Sequence, residues 1–392
     1  MIRTVTGLLW LGFYLRMCVA AWNGFIGPSI GAGGDASYFH LVAVGHSYNL
    51  DIGSMDSNAY TYPLKVCWMY PYVLGVFYAI TTPSLFLGSC LSVVAWAASA
   101  FILIRILQLL SFGNSNQYKV MLIYALFPSS IIHTSVTLRE PYQLLFVNLA
   151  IYAALKIYLN KSIAYWPVLL CAVISMGILH GALIVFGALL ACATLLMLPL
   201  RYRKSGKHFS VKKFVFVVPL VVYVVIYGIS CYESYSYGSY SVEGGLYAKI
   251  ESFQQVLVSL EARSNYKSSV AVHSGADLLF FVPVGLFKYF FEPMPWRISN
   301  LFDVAVLLEN ILRAWLLWKA WIWLCSASVQ GKRPVLCILI SYLLLEVMWS
   351  LGTVNWGNAV RHHIPSLGLL LIVSFAYVDD SFKKGRAHIS SD

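Results

Sequence analysis

The run LFLGSCLSVVAWAASAFILIRILQLL, residues 85–110, carries a single charged side chain, Arg105. A helix needs about 20 predominantly apolar residues to cross the roughly 30 Å of hydrocarbon in a bilayer. The run is long enough, and it lacks the period-two alternation of apolar and polar residues that marks the strands of outer-membrane barrels. It therefore predicts a transmembrane α-helix.

Runs of this kind recur along the whole chain. Of the 392 residues, 59% are hydrophobic and 11% are charged, and the mean hydropathy is +0.73. This composition excludes a soluble domain of ordinary type. We predict an all-α polytopic membrane protein that forms one transmembrane domain over 1–392, with about ten spans and a range of ten to twelve. The ten clear spans are 6–26, 85–110, 119–136, 141–160, 164–179, 181–200, 213–231, 302–325, 334–352 and 364–378.

The first span and the cysteines need no special chemistry. Arg16 lies in the middle of the first span, and no small-residue cleavage site follows it, so we expect a retained helix and not a signal peptide. Most of the eight cysteines fall inside apolar runs and show neither metal-ligand spacing nor a disulfide framework. We interpret them as packing residues.

Two aromatic runs, 66–83 and 278–296, are rich in Pro, Tyr, Phe and Trp, which are typical of membrane interfaces and broken helices. If neither crosses the membrane, the ten clear spans place all the basic loops on the cytoplasmic side, as the positive-inside rule requires. These loops are Arg201 to Lys213, Lys332 with Arg333, and Lys383 to Arg386. We therefore predict re-entrant or interfacial segments, cytoplasmic termini and a short cytoplasmic tail at 379–392.

The same count places four segments on the outer face. They are the outer loop 27–84, the junction at Arg139 and Glu140, the outer loop 232–301 and the outer turn 353–363. We expect the functional site to lie on this outer face. The net charge of +11 could also suggest a nucleic-acid partner, but the positive-inside rule already explains where Lys and Arg concentrate, so we expect none.

The first outer loop contains Asp35 after two glycines, and the apolar pattern that follows predicts a short interfacial helix beginning there. Asp35 could be a general base that faces a membrane-bound substrate. The alternative is a helix N-cap, because an Asp in that position accepts hydrogen bonds from free backbone N–H groups.

The junction of two spans carries Arg139, Glu140 and Pro141. Charged residues at the rim of the membrane are candidates for a functional site. The alternative for Arg139 and Glu140 is a local ion pair and a helix cap, and both roles stay open.

His180 lies at another outward junction and is a candidate for a hydrogen bond to substrate. Its alternative is a structural histidine.

In the second outer loop, Arg263, Lys267 and Arg297 alternate with aromatic residues. Arginine binds phosphate oxygens in a bidentate manner, and aromatic rings stack on sugar faces, so these residues suit a phosphorylated glycan. The alternative is interfacial anchoring, in which the same residue types are expected.

The last outer turn carries Arg361, His362 and His363 just before Pro365. Pro365 in the first turn of the final helix would direct a helix N-terminus, with its free N–H donors, toward the outer leaflet. We predict an anion site there. No nucleotide-binding or metal-binding motif such as Walker A, GxGxxG, HExxH or DxD lies at a usable position, so we expect neither cofactor nor metal.

Several of these features together resemble a known family. Asp35 with the helix that follows it, Tyr62-Pro63 and Tyr70-Pro71, Pro128-Ser129-Ser130 leading to Arg139-Glu140, and Arg361 with Pro365 are similar to the GT-C superfamily of membrane glycosyltransferases. The chain size, the large outer loop and the outer turns with Arg and His also resemble Wzy-type O-antigen polymerases.

The resemblance implies a glycan on undecaprenyl phosphate or pyrophosphate, transferred at the periplasmic face of a bacterial inner membrane. It implies Asp35 as the base and Arg139, Arg361 and His362 as the groups that neutralise the leaving phosphate, with inversion at the sugar. Glu140, from its place at the rim of the membrane, is the other catalytic candidate. Membrane lipid and other polysaccharide-assembly proteins are further candidate partners. Many GT-C members carry a second acid beside the one at Asp35 and a soluble C-terminal domain, and this sequence shows neither, which puts a metal in doubt.

Three functions are consistent with these residues. The first is the polymerase of a surface-polysaccharide repeat unit in lipopolysaccharide biosynthesis. The second is a GT-C transferase that adds one sugar, and the third is a transporter or flippase for lipid-linked glycans. A flippase would line a passage with charges, but the interior charges are few and most lie toward the ends of spans.

Overall fold

The computed structural model describes residues 4–28, 33–48, 69–160, 162–204, 263–266, 275–326 and 332–376. Within these ranges the regular structure is helical, apart from one isolated antiparallel bridge between Asn265 and Asn355. The helices are α1 (Val5–Phe25), α2 (Asp35–Ser47), α3 (Met69–Ile80), α4 (Leu85–Leu109), α5 (Asn114–Leu126), α6 (Pro128–His133), α7 (Glu140–Asn160), α8 (Tyr165–Leu179), α9 (Gly181–Lys204), α10 (Gly275–Phe291), α11 (Leu301–Ser326), α12 (Lys332–Gly352), α13 (Trp356–His362) and α14 (Leu367–Ala376), with a 3₁₀ turn at Pro295–Arg297.

Four of these helices, α1, α4, α7 and α12, are long and apolar enough to cross a bilayer. Helices α13 and α14 meet at a bend of 66° and make a fifth candidate if they are taken as one broken span. The prediction of an all-α protein is confirmed over the described residues, and the candidate spans are consistent with a membrane protein. The count of about ten spans stays a prediction, and the span at 213–231 and the tail at 379–392 lie outside the described residues.

The chain divides into two compact units. Unit 1 comprises Met1–Leu9, Ser111–Ile131 and Ser241–Asp392, and unit 2 comprises Trp10–Leu110 and Ile132–Tyr240. The single transmembrane domain expected from the sequence stays a prediction.

In unit 2, small and polar residues let the long helices approach closely. Gly24 of α1 packs directly against Phe86 at the start of α4, and the side-chain amide of Asn23 donates to Ser89 at 3.2 Å. The amide of Asn148 on α7 donates to the Ser99 hydroxyl of α4 at 2.9 Å. Small residues and buried hydrogen bonds of this kind are typical of helix packing in membranes.

The run 119–136, predicted as one span, is not one helix. Helix α5 ends at Leu126, Phe127 adopts an extended conformation, and α6 begins at Pro128. Proline has no N–H and disfavours a helical conformation for the residue before it, which accounts for the break. The backbone N–H of Ser129, which has no partner within the new helix, donates instead to the Glu309 carboxylate at 2.6 Å within unit 1.

After α6, residues 134–139 run through the protein without regular structure, and we call them the buried segment. Thr134 to Leu138 are almost fully buried. Irregular backbone at membrane depth requires partners within the protein. One partner is Arg16 of α1, which is fully buried: its Nε donates to the Thr134 hydroxyl at 2.7 Å, and its guanidinium carbon lies 3.6 Å from the centre of the Trp96 ring.

In unit 1, buried charges also make specific contacts. Arg313 and Glu309, one turn apart on α11, form an ion pair with an N–O distance of 3.3 Å. Glu346 of α12 accepts hydrogen bonds from the ring of His363 at 2.7 Å and from the Ser366 hydroxyl. His363 and Ser366, the partners of Glu346, lie at the bend between α13 and α14. Pro365, predicted within the first turn of the last helix, lies in this turn and precedes α14 by two residues.

The close approach of α1 and α4 leads to a stability prediction. A Cβ atom at Gly24 would lie 2.8 Å from the Cα of Phe86, so Gly24→Ala should force the two helices apart and destabilise the protein by about 1–3 kcal/mol. The measurement is the melting temperature of the purified protein in detergent. Gly33→Ala is the matched control, because a Cβ there meets nothing within 4 Å. Equal melting temperatures for the two variants would contradict the packing.

Candidate functional site

The start of α2 presents Asp35 to the surface. Gly34 occupies the N-cap with a φ of 59°, a left-handed conformation that glycine adopts without strain, and Asp35 is the first helical residue. Asp35 is exposed, and Gly34, not Asp35, holds the N-cap position. Asp35 is thus the first helical residue, where a carboxylate interacts favourably with the helix dipole.

The buried segment holds this end of α2 in place. The Thr137 hydroxyl donates to the backbone carbonyl of Ala36 at 2.8 Å, one residue after Asp35. Val136 and Leu138, on either side of Thr137, belong to the same apolar core as Ala36 and Phe39. The position of the Asp35 carboxylate thus depends on a hydrogen bond and on apolar packing beneath it.

The buried segment ends at Arg139, whose half-buried guanidinium lies near Phe39 of α2. Its carbon is 5.9 Å from the centre of that ring, and its Nη1 donates to the carbonyl of Leu179 at 3.4 Å. Glu140 begins α7 and is only 1% exposed. Arg139 and Glu140 therefore differ in solvent accessibility, because the arginine is partly exposed and the glutamate is buried.

His180 joins α8 to α9 next to Arg139. Its Nδ1 accepts a hydrogen bond from the backbone N–H of Ala182 at 3.3 Å, which places the proton of the neutral ring on Nε2. Burial, and then the nearby charge of Arg139, hold the pKa of His180 well below its ordinary value of 6.5. The neutral ring is thus a hydrogen-bond donor through Nε2.

Four residues that the sequence singled out therefore belong to one part of unit 2, which we call the Asp35 face. It consists of Asp35, Arg139, Glu140 and His180. Its exposed carboxylate can accept a proton, and its guanidinium and imidazole can donate hydrogen bonds to an anion. Sequence analysis did not identify His40, whose Nδ1 lies 2.9 Å from the Tyr78 hydroxyl and which is one helical turn beyond Ala36.

Unit 1 contains the other predicted basic residues, and here the structure supplies acids that the sequence did not indicate. Arg263 forms a bidentate pair with Asp303, with N–O distances of 2.7 and 3.0 Å, and Arg297 contacts Glu292 at 3.0 Å. The guanidinium carbons of Arg263 and Arg297 lie 5.6 and 4.7 Å from the centre of the Trp356 ring, and the indole N–H donates to Asp303 at 3.1 Å.

These contacts hold part of the second outer loop against the outer turn. The backbone N–H of Tyr266 donates to Val354 at 2.9 Å, that of Trp356 donates to Ser264 at 3.2 Å, and Arg297 donates to the carbonyl of Asn265 at 2.6 Å. Arg263 and Arg297 are thus bound to carboxylates in this state, and their role in binding phosphate stays a prediction. Lys267 lies outside the described residues.

The three basic residues of the outer turn occupy different surroundings. Arg361 is half-buried in the last turn of α13. His362 stacks on Trp349 with ring centres 4.3 Å apart, and its Nδ1 lies 2.7 Å from the Thr353 hydroxyl. His363 is buried, and its two ring nitrogens face the Glu346 carboxylate and the carbonyl of Tyr289. Arg361 and His362 are therefore the more accessible candidates for an anion.

The Asp35 face lies in unit 2 and the outer-turn residues lie in unit 1, and their sharing one outer face stays a prediction. Among the described residues, no three His, Cys, Asp or Glu side chains form a group that could hold a metal ion.

The surroundings of His180 predict an acid-dependent loss of stability. Because its pKa is lower in the folded state, the unfolded chain takes up a proton first as the pH falls below about 6.5, and the folded state loses free energy relative to it. His180→Asn keeps an acceptor for the N–H of Ala182 but cannot titrate. The fall in melting temperature from pH 7.5 to 5.5 should be smaller in this variant than in the wild type. An identical fall in both proteins would contradict a depressed pKa at His180.

Comparison with known proteins gives a distant structural likeness. No family model and no curated protein matches the chain. The archaeal oligosaccharyltransferase AglB from Archaeoglobus fulgidus, solved in complex with an inhibitory peptide and a dolichol-phosphate, is similar with a TM-score of 0.47 and 13% identity. The alignment covers 99% of this chain and 52% of that one, so the chain spans about half the length of AglB. A likeness at this level does not establish a shared fold.

Proposed function

We propose that this protein is an integral membrane glycosyltransferase that acts on glycans carried by polyprenyl phosphate or pyrophosphate. The reaction we propose is the joining of surface-polysaccharide repeat units at the periplasmic face of a bacterial inner membrane. The observation that carries this proposal is the Asp35 face, where an exposed carboxylate and a half-buried guanidinium are joined through one buried segment in a protein with membrane-length apolar helices.

The chemistry follows from the two charges. A hydroxyl oxygen of the acceptor attacks the anomeric carbon of the donor sugar, the bond from that carbon to the phosphate oxygen breaks, and the electron pair stays on the leaving phosphate. Asp35 takes the hydroxyl proton as general base. Arg139, with the neutral His180 as a further donor, stabilises the charge that develops on the phosphate. Attack opposite the leaving group inverts the configuration at the sugar.

Within unit 1, Arg361 and His362 are the residues that we propose bind a phosphate group. Both lie in the last turn of α13, and both side chains are partly accessible to solvent. Arginine is suited to phosphate because its planar guanidinium donates two parallel hydrogen bonds. In this proposal the lipid carrier supplies the activation of the sugar, so neither a nucleotide nor a metal is required.

The exposure of Asp35 also favours a second candidate, the addition of one sugar from a polyprenyl-phosphate donor. A monophosphate leaves less readily than a pyrophosphate, so transfer from it depends more strongly on a base positioned at the acceptor hydroxyl. A polymerase that acts on pyrophosphate needs the cations more than it needs Asp35.

Transport of lipid-linked glycans is less consistent with the interior of the protein. Arg16, Glu309, Arg313 and Glu346 are all buried and hydrogen-bonded within the protein. Charges that conduct a polar headgroup through the bilayer would have to line a hydrated passage.

The test is glycan transfer by Asp35→Asn in a deletion strain. If Asp35 is the base, this variant should lose about 10²- to 10⁴-fold in transfer rate, measured as product per unit of membrane-inserted protein. Retained polymerisation would instead favour a polymerase that has no dedicated base. Asp277→Asn is the matched control, since Asp277 is also an acid in the first turn of a helix and should transfer at the wild-type rate.

The deletion strain itself distinguishes the two enzymes. Loss of long glycan chains with one repeat unit remaining identifies a polymerase, and loss of one sugar from every unit identifies the single-sugar transferase. Normal glycans in the deletion strain would contradict both.

A further inference from the structure

Unit 2 contains a cavity where α1, α2 and α4 meet. It has a volume of about 320 Å³ and is lined by residues 23–28 at the end of α1, by Ser37 of α2 and by Leu85 of α4. Pockets that bind small molecules have volumes of roughly 300–1,000 Å³, so this one can admit a sugar residue but not a long glycan. Ser37 lies two residues after Asp35, and the cavity therefore adjoins the Asp35 face.

The end of α1 supplies a hydrogen-bond acceptor at the wall of the cavity. In an α-helix the carbonyl of one residue accepts from the N–H four residues later. For Gly24 that residue is Pro28, which has no N–H. The N–H of the intervening Gly27 donates to the Trp22 carbonyl at 3.1 Å. The Gly24 carbonyl therefore has no partner from its own helix, and a ligand in the cavity can donate a hydrogen bond to it.

Phe25 gives the cavity an accessible aromatic face. Its side chain is 73% exposed, and its ring centre lies 4.8 Å from that of Phe86 on α4. The contact with Phe86 orients the ring and leaves most of its surface open. Such a ring can pack against the apolar face of a sugar, because this contact removes nonpolar surface of both from water.

Charge and hydrogen bonding distinguish the ligands that could occupy this cavity. The eight lining residues contain no charged side chain, so a phosphate or ammonium headgroup would lose hydration without meeting an opposite charge. An acyl or isoprenoid chain would cover the Gly24 carbonyl without donating to it, which also costs free energy. A sugar residue avoids both costs, because its hydroxyl groups donate hydrogen bonds and its ring carbons are apolar.

We propose that the cavity binds an uncharged sugar residue of the acceptor glycan. The hydroxyl groups of this sugar donate to the Gly24 carbonyl and exchange hydrogen bonds with the Ser37 hydroxyl, and its apolar face packs on Phe25. Asp35 and Ser37 lie about 200° apart around the axis of α2. The sugar in the cavity is therefore a neighbour of the sugar that Asp35 deprotonates, and it determines which acceptor is bound. This inference rests on the proposed glycosyltransferase function.

The experiment is a titration of the purified full-length Asp35→Asn protein with lipid-linked glycan extracted from the deletion strain. The extract contains the acceptor, and Asp35→Asn slows its conversion, so the rise in melting temperature reports binding. Adding Phe25→Ala should raise the half-saturating concentration about two- to tenfold, the effect of losing one aromatic contact. Adding Phe25→Tyr, which keeps the ring, should leave this concentration unchanged. Ser37→Leu should raise it as well, because leucine fills part of the cavity and cannot form the hydrogen bond.

Trp22→Ala is the matched control. Trp22 is also an exposed aromatic residue in the last turn of α1, but it does not line the cavity, so this variant should bind like the Asp35→Asn parent. The proposal fails if Phe25→Ala binds the extract like the parent. It also fails if Phe25→Ala weakens the binding of undecaprenyl phosphate without a glycan by the same factor, which would indicate a site for the lipid chain.

These two results leave the proposed function in place, because in both of them the parent protein still binds the extract. If the extract does not stabilise the parent at any concentration, the proposed function itself is contradicted.

Discussion

The proposed function of unit 2 depends on the contacts of the buried Arg16 guanidinium, which include one cation–π contact and two hydrogen bonds. A charge in the interior of an apolar helix bundle is costly unless hydrogen bonds and polarisable groups surround it. Here the Trp96 ring covers one face of the guanidinium, the Gly12 carbonyl accepts from it at 3.0 Å, and the Thr134 hydroxyl accepts at 2.7 Å. A desolvated cation–π contact is worth about 2 kcal/mol. The arginine thereby fixes the first residue of the buried segment.

From Thr134 onward, each polar contact along the buried segment positions part of the Asp35 face. Thr137 binds the backbone of α2 beside Asp35, and Arg139 reaches the carbonyl of Leu179 and the ring of Phe39. The hydroxyl groups of the buried segment thus join helices that are far apart in sequence. The chemistry proposed for Asp35 and Arg139 requires this arrangement, because a base and a cation must both be held in place before a substrate binds.

Hydropathy and local turn signals predicted some elements well and missed others for physical reasons. The apolar run 85–110 corresponds to α4, and the helix expected from Asp35 is α2. The break after Phe127 was missed because hydropathy does not change across it, although Pro128 is a local signal for it. The acid that pairs with Arg263 was not predicted, since Asp303 is 40 residues from its partner and no spacing rule connects them. Burial of His363 likewise depends on Glu346 of another helix, which a linear pattern does not show.

The most direct test of the central claim is a double-mutant cycle on glycan transfer with Asp35→Asn and Arg139→Gln. If the two side chains act on one transition state, each single variant loses most of the activity, and the double variant transfers at about the rate of the slower single variant, because groups that act as a unit are strongly non-additive. Independent losses that multiply in the double variant would contradict a shared site. So would transfer at the wild-type rate by either single variant.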